Sequence, residues 1–209
     1  MKNLYIVGAG GFGREVYGWL RDEVALLKDH HFIGFLDDDE SALSAFDSEY
    51  GVVGSITGFK ADENDSFICG IGSVKWKKQL CQPMLASGAR FLTLVHPTAL
   101  IGRGVQLGEG VVICPRVTLT CDIRIGTMTM INCHSSVGHD VSVGDWSTIS
   151  AHCDLTSGTV LGDEVFLGSG VRILPGKKIG ARSTLGAGSV VIRDVPESVS
   201  VFGNPARVI

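Results

Sequence analysis

The chain has 209 residues, 44% hydrophobic and 19% charged, with a net charge of −4. That balance supports a packed core and excludes disorder, and it carries no electrostatic footprint for nucleic acid or an anionic membrane. No apolar run approaches the roughly 18 residues of a membrane span, and the N-terminus is too short in apolar residues for a signal peptide. Six cysteines (Cys69, Cys81, Cys114, Cys121, Cys133 and Cys153) contain no C-x-x-C pair. Reduced, mostly packed thiols and a cytoplasmic location are the expectation.

Residues 4–7, Leu-Tyr-Ile-Val, read as a short strand that runs into Gly8-Ala9-Gly10-Gly11-Phe12-Gly13, after which residues 14–20 show helical spacing of apolar side chains. A second strand is expected over residues 32–36, ending in Asp37-Asp38-Asp39, with His30 and His31 in a solvated loop before it. A third is expected over residues 66–71, leading through Gly72-Ser73 into a helix near residues 75–87. Strand alternating with helix implies an α/β, Rossmann-like domain with a small parallel sheet over residues 1–92, followed by a second domain over 93–209. The G-x-G-x-x-G follows a strand and opens a helix, and Asp37 lies 24 residues past Gly13. This pattern brings backbone amides to a pyrophosphate at a helix N-terminus. A dehydrogenase would need a second mononucleotide half, and the chain devotes those residues to something else. A nucleotide-linked sugar therefore fits better than a nicotinamide.

The second half explains why glycine reaches 28 residues. Every sixth residue from Val95 to Val191 is Ile, Leu or Val, seventeen in succession. Gly108, Gly126, Gly144, Gly162 and Gly180 each follow one of these aliphatics and recur every eighteen residues. Three hexapeptides thus make one triangular coil, and successive coils stack about 4.8 Å apart as a parallel β-helix, with a period that belongs to the left-handed kind. The recurrent glycines are expected to serve turns that need a conformation such as positive φ. Small or β-branched residues two before each aliphatic (Val105, Val111, Val117, Ile123, Thr129, Ser135, Val141 and Ser147) are expected to share the narrow interior.

Residues 95–209 resemble the hexapeptide-repeat acyltransferases, including the ending Gly188-Ser-Val-Val-Ile-Arg-Asp-Val-Pro-Glu-Ser-Val-Ser-Val-Phe-Gly-Asn-Pro-Ala-Arg207. Joined to the Gly-Ala-Gly-Gly-Phe-Gly domain, the whole chain is similar to the bacterial nucleotide-amino-sugar N-acetyltransferases and the related sialic acid O-acetyltransferases. The resemblance implies a homotrimer with acetyl-CoA as co-substrate lying between subunits, and no metal. By position it implies that Gly10, Gly11 and Gly13 face phosphates or sugar, that Asp37 and Asp38 face base or ribose, and that Gly72 and Ser73 close the pocket. Candidate CoA contacts are Gly158, Gly168, Ser169, Ala187 and Gly188, with Lys177, Lys178, Arg193 and Arg207 available to its phosphates.

Acetyl transfer to an amine needs a proton acceptor, and a histidine with its ordinary pKa of about 6.5 suits that role at neutral pH. His139 follows Gly138, lies two past core Val137 and has Asp140 beside it. The segment Ser135-Ser-Val-Gly-His-Asp140 resembles the family's catalytic segment, which implies His139 as general base and Asp140 as its orienting acid. His96 is expected to shape the junction before Pro97, and His134 and His152, eighteen apart, to stack on one edge. Three rival functions differ in their chemistry. They are sugar O-acetylation, a prism of the carbonic anhydrase type with His96, His134 and His139 around a metal, and a trimeric scaffold without catalysis.

Overall fold

Leu4, Ile6 and Val7 are fully buried and place β1 (Lys2–Val7) at the centre of a five-stranded sheet in the computed structural model, which describes residues 1–20 and 28–209. The chain divides into two units, Met1–Leu94 and Val95–Ile209. In the first, β1 is followed by α1 (Gly11–Leu20), β2 (His30–Leu36), β3 (Val52–Gly54), β4 (Asp65–Cys69), α2 (Val74–Ala86) and β5 (Arg90–Phe91). The strand order is β3-β2-β1-β4-β5, and all pairs are parallel. Because β1 has β2 on one side and β4 on the other, the sheet reverses its winding at β1. An open α/β sheet leaves a crevice at that point.

Three local expectations change. His30 and His31 begin β2 rather than precede it, pairing with Lys2 and Asn3. The 66–71 strand runs instead from Asp65 to Cys69, with the Gly70 N–H supplying the last bond of the ladder to the Val7 carbonyl. Strands β3 and β5, three and two residues long, are too short for alternation to reveal. Lys77 is also unusual for a charged residue, since it lies on the buried side of α2 with 1% exposure.

The second unit is a left-handed parallel β-helix. Strands β6 (Leu94–Val95) to β22 (Val190–Val191) are two residues long and recur every six residues, building three sheets. Each strand pairs with the one eighteen residues on, as Thr118 with Ser136, Ser136 with Asp154 and Asp154 with Arg172. Core aliphatics from Ile113 to Val191 are buried, while Ile101 in the first coil is 41% exposed. The interior Thr and Ser residues link successive coils. Thr129 donates to the Gly144 carbonyl at 2.9 Å and Ser135 to that of Ser150 at 3.0 Å, and each hydroxyl also accepts an N–H eighteen residues on. Such partners remove the penalty of burying a hydroxyl.

The recurrent glycines have a different cause from the one expected. Left-handed conformations fall three residues past each core aliphatic, where His134, Asp140, Trp146 and His152 have φ between 60° and 62°. Gly108, Gly126, Gly144, Gly162 and Gly180 are not among the positive-φ residues. They are required by stacking, since a Cβ on Gly126 would lie 2.6 Å from the Asp145 nitrogen and the Gly144 carbonyl carbon.

The last coil is short. Thr184 pairs with Ser200, sixteen residues on, and β23 (Ser200–Gly203) is then covered by antiparallel β24 (Ala206–Val208). Among the described residues, no helix is long and apolar enough to cross a membrane.

Two measurements of stability follow from these features. Gly126→Ala drives a methyl into the next coil's backbone and is expected to cost about 2–3 kcal/mol. Gly176→Asn, at φ 69° with open space around it, is expected to stay within about 1 kcal/mol. Urea unfolding of the two variants distinguishes stacking from conformation as the source of the glycine requirement. Burial lowers the Lys77 amine from 10.5 to about 8. The unfolded chain therefore holds this proton more tightly, and Lys77's contribution to stability rises as pH increases from about 8 towards 10.5. Unfolding midpoints across that window should climb more steeply for the parent protein than for Lys77→Met.

Candidate active site

The crevice at the carboxyl ends of β1 and β4 is a cleft of about 350 Å³, lined among others by Gly10, Gly11, Asp37, Asp38, Gly72 and Ser73. Six of the seven residues expected to contact a substrate in this unit therefore meet in one place. No atom lies within 4 Å of where a Cβ on Gly10 would stand, so the glycine leaves the floor open. The Arg14 N–H donates to the Gly10 carbonyl at 3.1 Å and starts the α1 hydrogen-bond ladder. Amides just before it point from the helix N-terminus and can receive an anion.

Gly13 is the exception. It is buried, and a Cβ there would overlap the Gly8 carbonyl oxygen. Its role is close packing of α1 against the strand ends, so it does not face a ligand.

The two acids hold the cleft's walls. Asp37 accepts the Ala9 N–H at 2.7 Å on one oxygen and the Asp39 N–H at 3.0 Å on the other. Asp38 accepts from the Ser55 hydroxyl and from both the N–H and hydroxyl of Thr57. The Ser55 hydrogen bond, followed by that of the Thr57 amide, holds the Asp38 carboxyl below its ordinary value. Ser73 caps α2, accepting the Trp76 N–H at 3.4 Å. Asp37, Asp38 and Ser73 thus each serve a structural hydrogen bond at the cleft.

The second constellation stands on the β-helix. Val137 is fully buried and fixes the strand from which Gly138, His139 and Asp140 turn outward. The Gly138 N–H donates to Leu155, the Gly158 N–H donates to the His139 carbonyl at 2.9 Å, and Asp140 sits at φ 62°. The backbone is therefore clamped to its neighbour coil while both side chains are exposed, 58% for His139 and 66% for Asp140. His139 Nδ1 is 2.7 Å from Asp140 Oδ2. An ionised carboxylate can only accept, so Nδ1 is the donor in this contact. One coil before, partial desolvation and then the charges of Asp122 and Asp140 raise the Cys121 thiol.

The remaining histidines are separate from this site. His134 and His152 stack with ring centroids 5.0 Å apart on another edge, and His96 is buried with its Nδ1 2.9 Å from Thr98 Oγ1. Among the described residues no group of three or more His, Cys, Asp or Glu side chains could hold a metal ion. Of the expected CoA contacts, Gly158 shares the His139 edge. Gly168, Ser169, Ala187 and Gly188 are brought together on the adjacent edge, where the Gly188 N–H donates to Ser169 at 2.8 Å. Lys178, Arg193 and Arg207 are exposed, and Lys177 is half-buried.

Comparison with known proteins gives this geometry its context. Residues 3–84 match the PglD N-terminal domain. The chain is 31% identical over 115 residues to UDP-N-acetylbacillosamine N-acetyltransferase of Bacillus subtilis, covering 54% of this chain and 51% of that protein. It is 30% identical over 140 residues to GDP-perosamine N-acetyltransferase of Escherichia coli O157:H7, covering 66% and 62%. The matched stretches thus span about half to three-fifths of these curated relatives. Over the whole chain, the structure is similar to a histidine-to-asparagine mutant of perosamine N-acetyltransferase from Caulobacter crescentus in complex with CoA and GDP-perosamine. The TM-score is 0.89 at 28% identity, covering 100% of this chain and 97% of that one. WeeI from Acinetobacter baumannii AYE matches with a TM-score of 0.88 at 29% identity and full coverage of both chains. Residues 3–84 thus carry a PglD N-terminal domain, and the chain as a whole is similar to nucleotide-amino-sugar N-acetyltransferases.

Proposed function

We propose that the protein transfers an acetyl group from acetyl-CoA to the amine of a nucleotide-linked 4-amino-4,6-dideoxy sugar used in surface glycan synthesis. The observation that carries this reading is the 2.7 Å His139–Asp140 hydrogen bond. It fixes one imidazole nitrogen as donor and leaves the other as a base on a solvent-facing edge. The glycine-lined cleft supplies a place for the diphosphate, and relatives named for UDP- and GDP-linked amino sugars support that assignment.

In this mechanism the sugar amine approaches His139 Nε2 and attacks the acetyl carbonyl. The imidazole takes the proton that the nitrogen must lose before the tetrahedral intermediate collapses, and Asp140 stabilises the imidazolium and holds the ring. Backbone N–H groups of the β-helix turns receive the oxyanion. The thioester supplies the activation, and the CoA thiol leaves. Gly158, Gly168, Ser169, Ala187 and Gly188 form the path proposed for the pantetheine arm. Exposed aliphatics on the β-helix, Leu174 at 42% and Ile192 at 38%, suit burial between copies in a homotrimer with sites between subunits. The reading places the reaction in the cytoplasm.

His139→Ala is expected to lower kcat/KM by about 10²–10⁴-fold. Asp140→Ala should lower it by about tenfold or more, through loss of ring orientation. Acetyl-CoA binding, measured by calorimetry, is expected to persist in both. Retention of full activity by His139→Ala would overturn its assignment as base. Gly10→Val fills the open floor of the cleft and is expected to raise KM for the sugar nucleotide at least about tenfold, with the KM for acetyl-CoA within about twofold of the parent. The substrate is identified by CoA thiol release against UDP-, dTDP- and GDP-linked 4-amino-4,6-dideoxy sugars, the first two being the carriers expected from the sequence. Turnover of a free sialic acid in place of all of them would assign O-acetylation instead.

A further inference from the structure

Behind the cleft, β4 and α2 bring two thiols and an amine together. Cys69 ends β4 and Cys81 lies on the buried face of α2, with their sulfurs 4.0 Å apart and exposures of 3% and 0%. All six cysteines are free. Lys77 is one helical turn before Cys81 on the same face, where residues four apart are neighbours. The hydrogen bond from Cys81 lowers the Cys69 thiol most, and the Lys77 charge acts in the same direction. The same bond raises the Cys81 thiol. Of the two, Cys69 directly adjoins the cleft-wall residues and keeps 3% exposure against 0% for Cys81, so Cys69 is the sulfur assigned to meet an oxidant. The acetyl transfer described above uses none of these groups.

Their position ties them to the cleft. Cys69 is followed directly by Gly70, Ile71, Gly72 and Ser73, all on the cleft wall, and Leu80, also on the wall, precedes Cys81. A disulfide requires the sulfurs to approach from 4.0 Å to about 2.05 Å. Residues 70–73 lie between the two cysteines in sequence, so a covalent bond between β4 and α2 closes a loop that contains this part of the cleft wall.

We propose that Cys69 and Cys81 form a reversible disulfide on reaction with a hydroperoxide, and that this redox pair controls the conformation of the 70–73 wall of the cleft. The Cys69 thiolate attacks a peroxide oxygen. The O–O bond breaks, the sulfur is oxidised to sulfenic acid, and the leaving alkoxide or hydroxide takes up a proton. Cys81 sulfur then attacks Cys69 sulfur. The S–S bond forms, the S–O bond breaks, and hydroxide departs as water with the Cys81 proton. In sum, two thiols and one hydroperoxide give one disulfide, one alcohol (or water) and one water, with two electrons passing from sulfur to oxygen. An external thiol reverses the change.

The test uses the full chain and does not depend on its acetyltransferase activity. The protein is treated with hydrogen peroxide, blocked with N-ethylmaleimide under denaturing conditions and digested for mass spectrometry. The expected product joins the Cys69 and Cys81 peptides at a mass about 2 Da below the sum of the reduced pair, and dithiothreitol restores both. Amide hydrogen exchange over residues 70–73 is expected to change at least about threefold on oxidation. Recovery of Cys69 and Cys81 only as separate peptides overturns the disulfide, and a disulfide with unaltered exchange overturns its control of the wall. In Cys81→Ala, Cys69 should accumulate about 16 or 32 Da of added oxygen, and an unmodified Cys69 overturns its assignment as nucleophile. Lys77→Met should slow the reaction about tenfold, and an unchanged rate removes Lys77 from the proposal.

Discussion

The axial spacing of the coils governs the second unit and its chemistry. Parallel pairing at the inter-strand distance of about 4.8 Å brings every residue directly over the one eighteen before it, as the ladder through Thr118, Ser136, Asp154 and Arg172 shows. At that separation a corner residue beneath another backbone cannot carry a Cβ, which makes glycine obligatory at Gly108, Gly126 and Gly144. The same spacing lets the Gly158 N–H reach the His139 carbonyl. The histidine consequently combines a side chain that is 58% exposed with a backbone held in place, a combination that loops seldom achieve. Orientation of its ring is then left to one neighbour, Asp140, whose left-handed backbone turns the carboxylate onto Nδ1.

The first unit solves a different problem, the support of a glycine-rich loop that has few side chains of its own. Asp37 holds the loop through the Ala9 amide, and Asp38 organises the residues around Ser55 and Thr57. Gly13 lets α1 come against Gly8. The cleft is therefore made rigid from outside, while the surfaces of Gly10 and Gly11 remain bare. A bare, amide-rich floor with braced walls favours an extended anionic ligand over a compact apolar one.

The sequence made the β-helix legible because its period is long, regular and carried by one residue class. Seventeen aliphatics at one spacing leave no competing register. Position within the hexapeptide also separated the inward Thr129 and Ser135 from the outward His139. The cause of the recurrent glycines was not legible, since conformational need and steric need select the same residue. In the first unit the spacing of Gly10, Gly11, Asp37, Gly72 and Ser73 located one cleft. It could not distinguish a residue that faces that cleft from one, such as Gly13, that packs behind it. Nor could composition show that Lys77 points inward, because a lysine on an amphipathic helix ordinarily marks the wet face. The pairing of Cys69 with Cys81 depends on how β4 and α2 pack, and a spacing of twelve residues does not encode that.

A stack of like coils is in principle open-ended, because its terminal coil presents the same unpaired N–H and C=O groups that each interior coil has satisfied. The short last coil changes this. With Thr184 paired to Ser200, the eighteen-residue column of their sheet stops, and antiparallel β24 occupies the outer edge of β23. In that sheet the outermost strand runs antiparallel, so the parallel ladder that built every earlier coil ends there, whereas β22 and β20 are the last strands of the other two sheets.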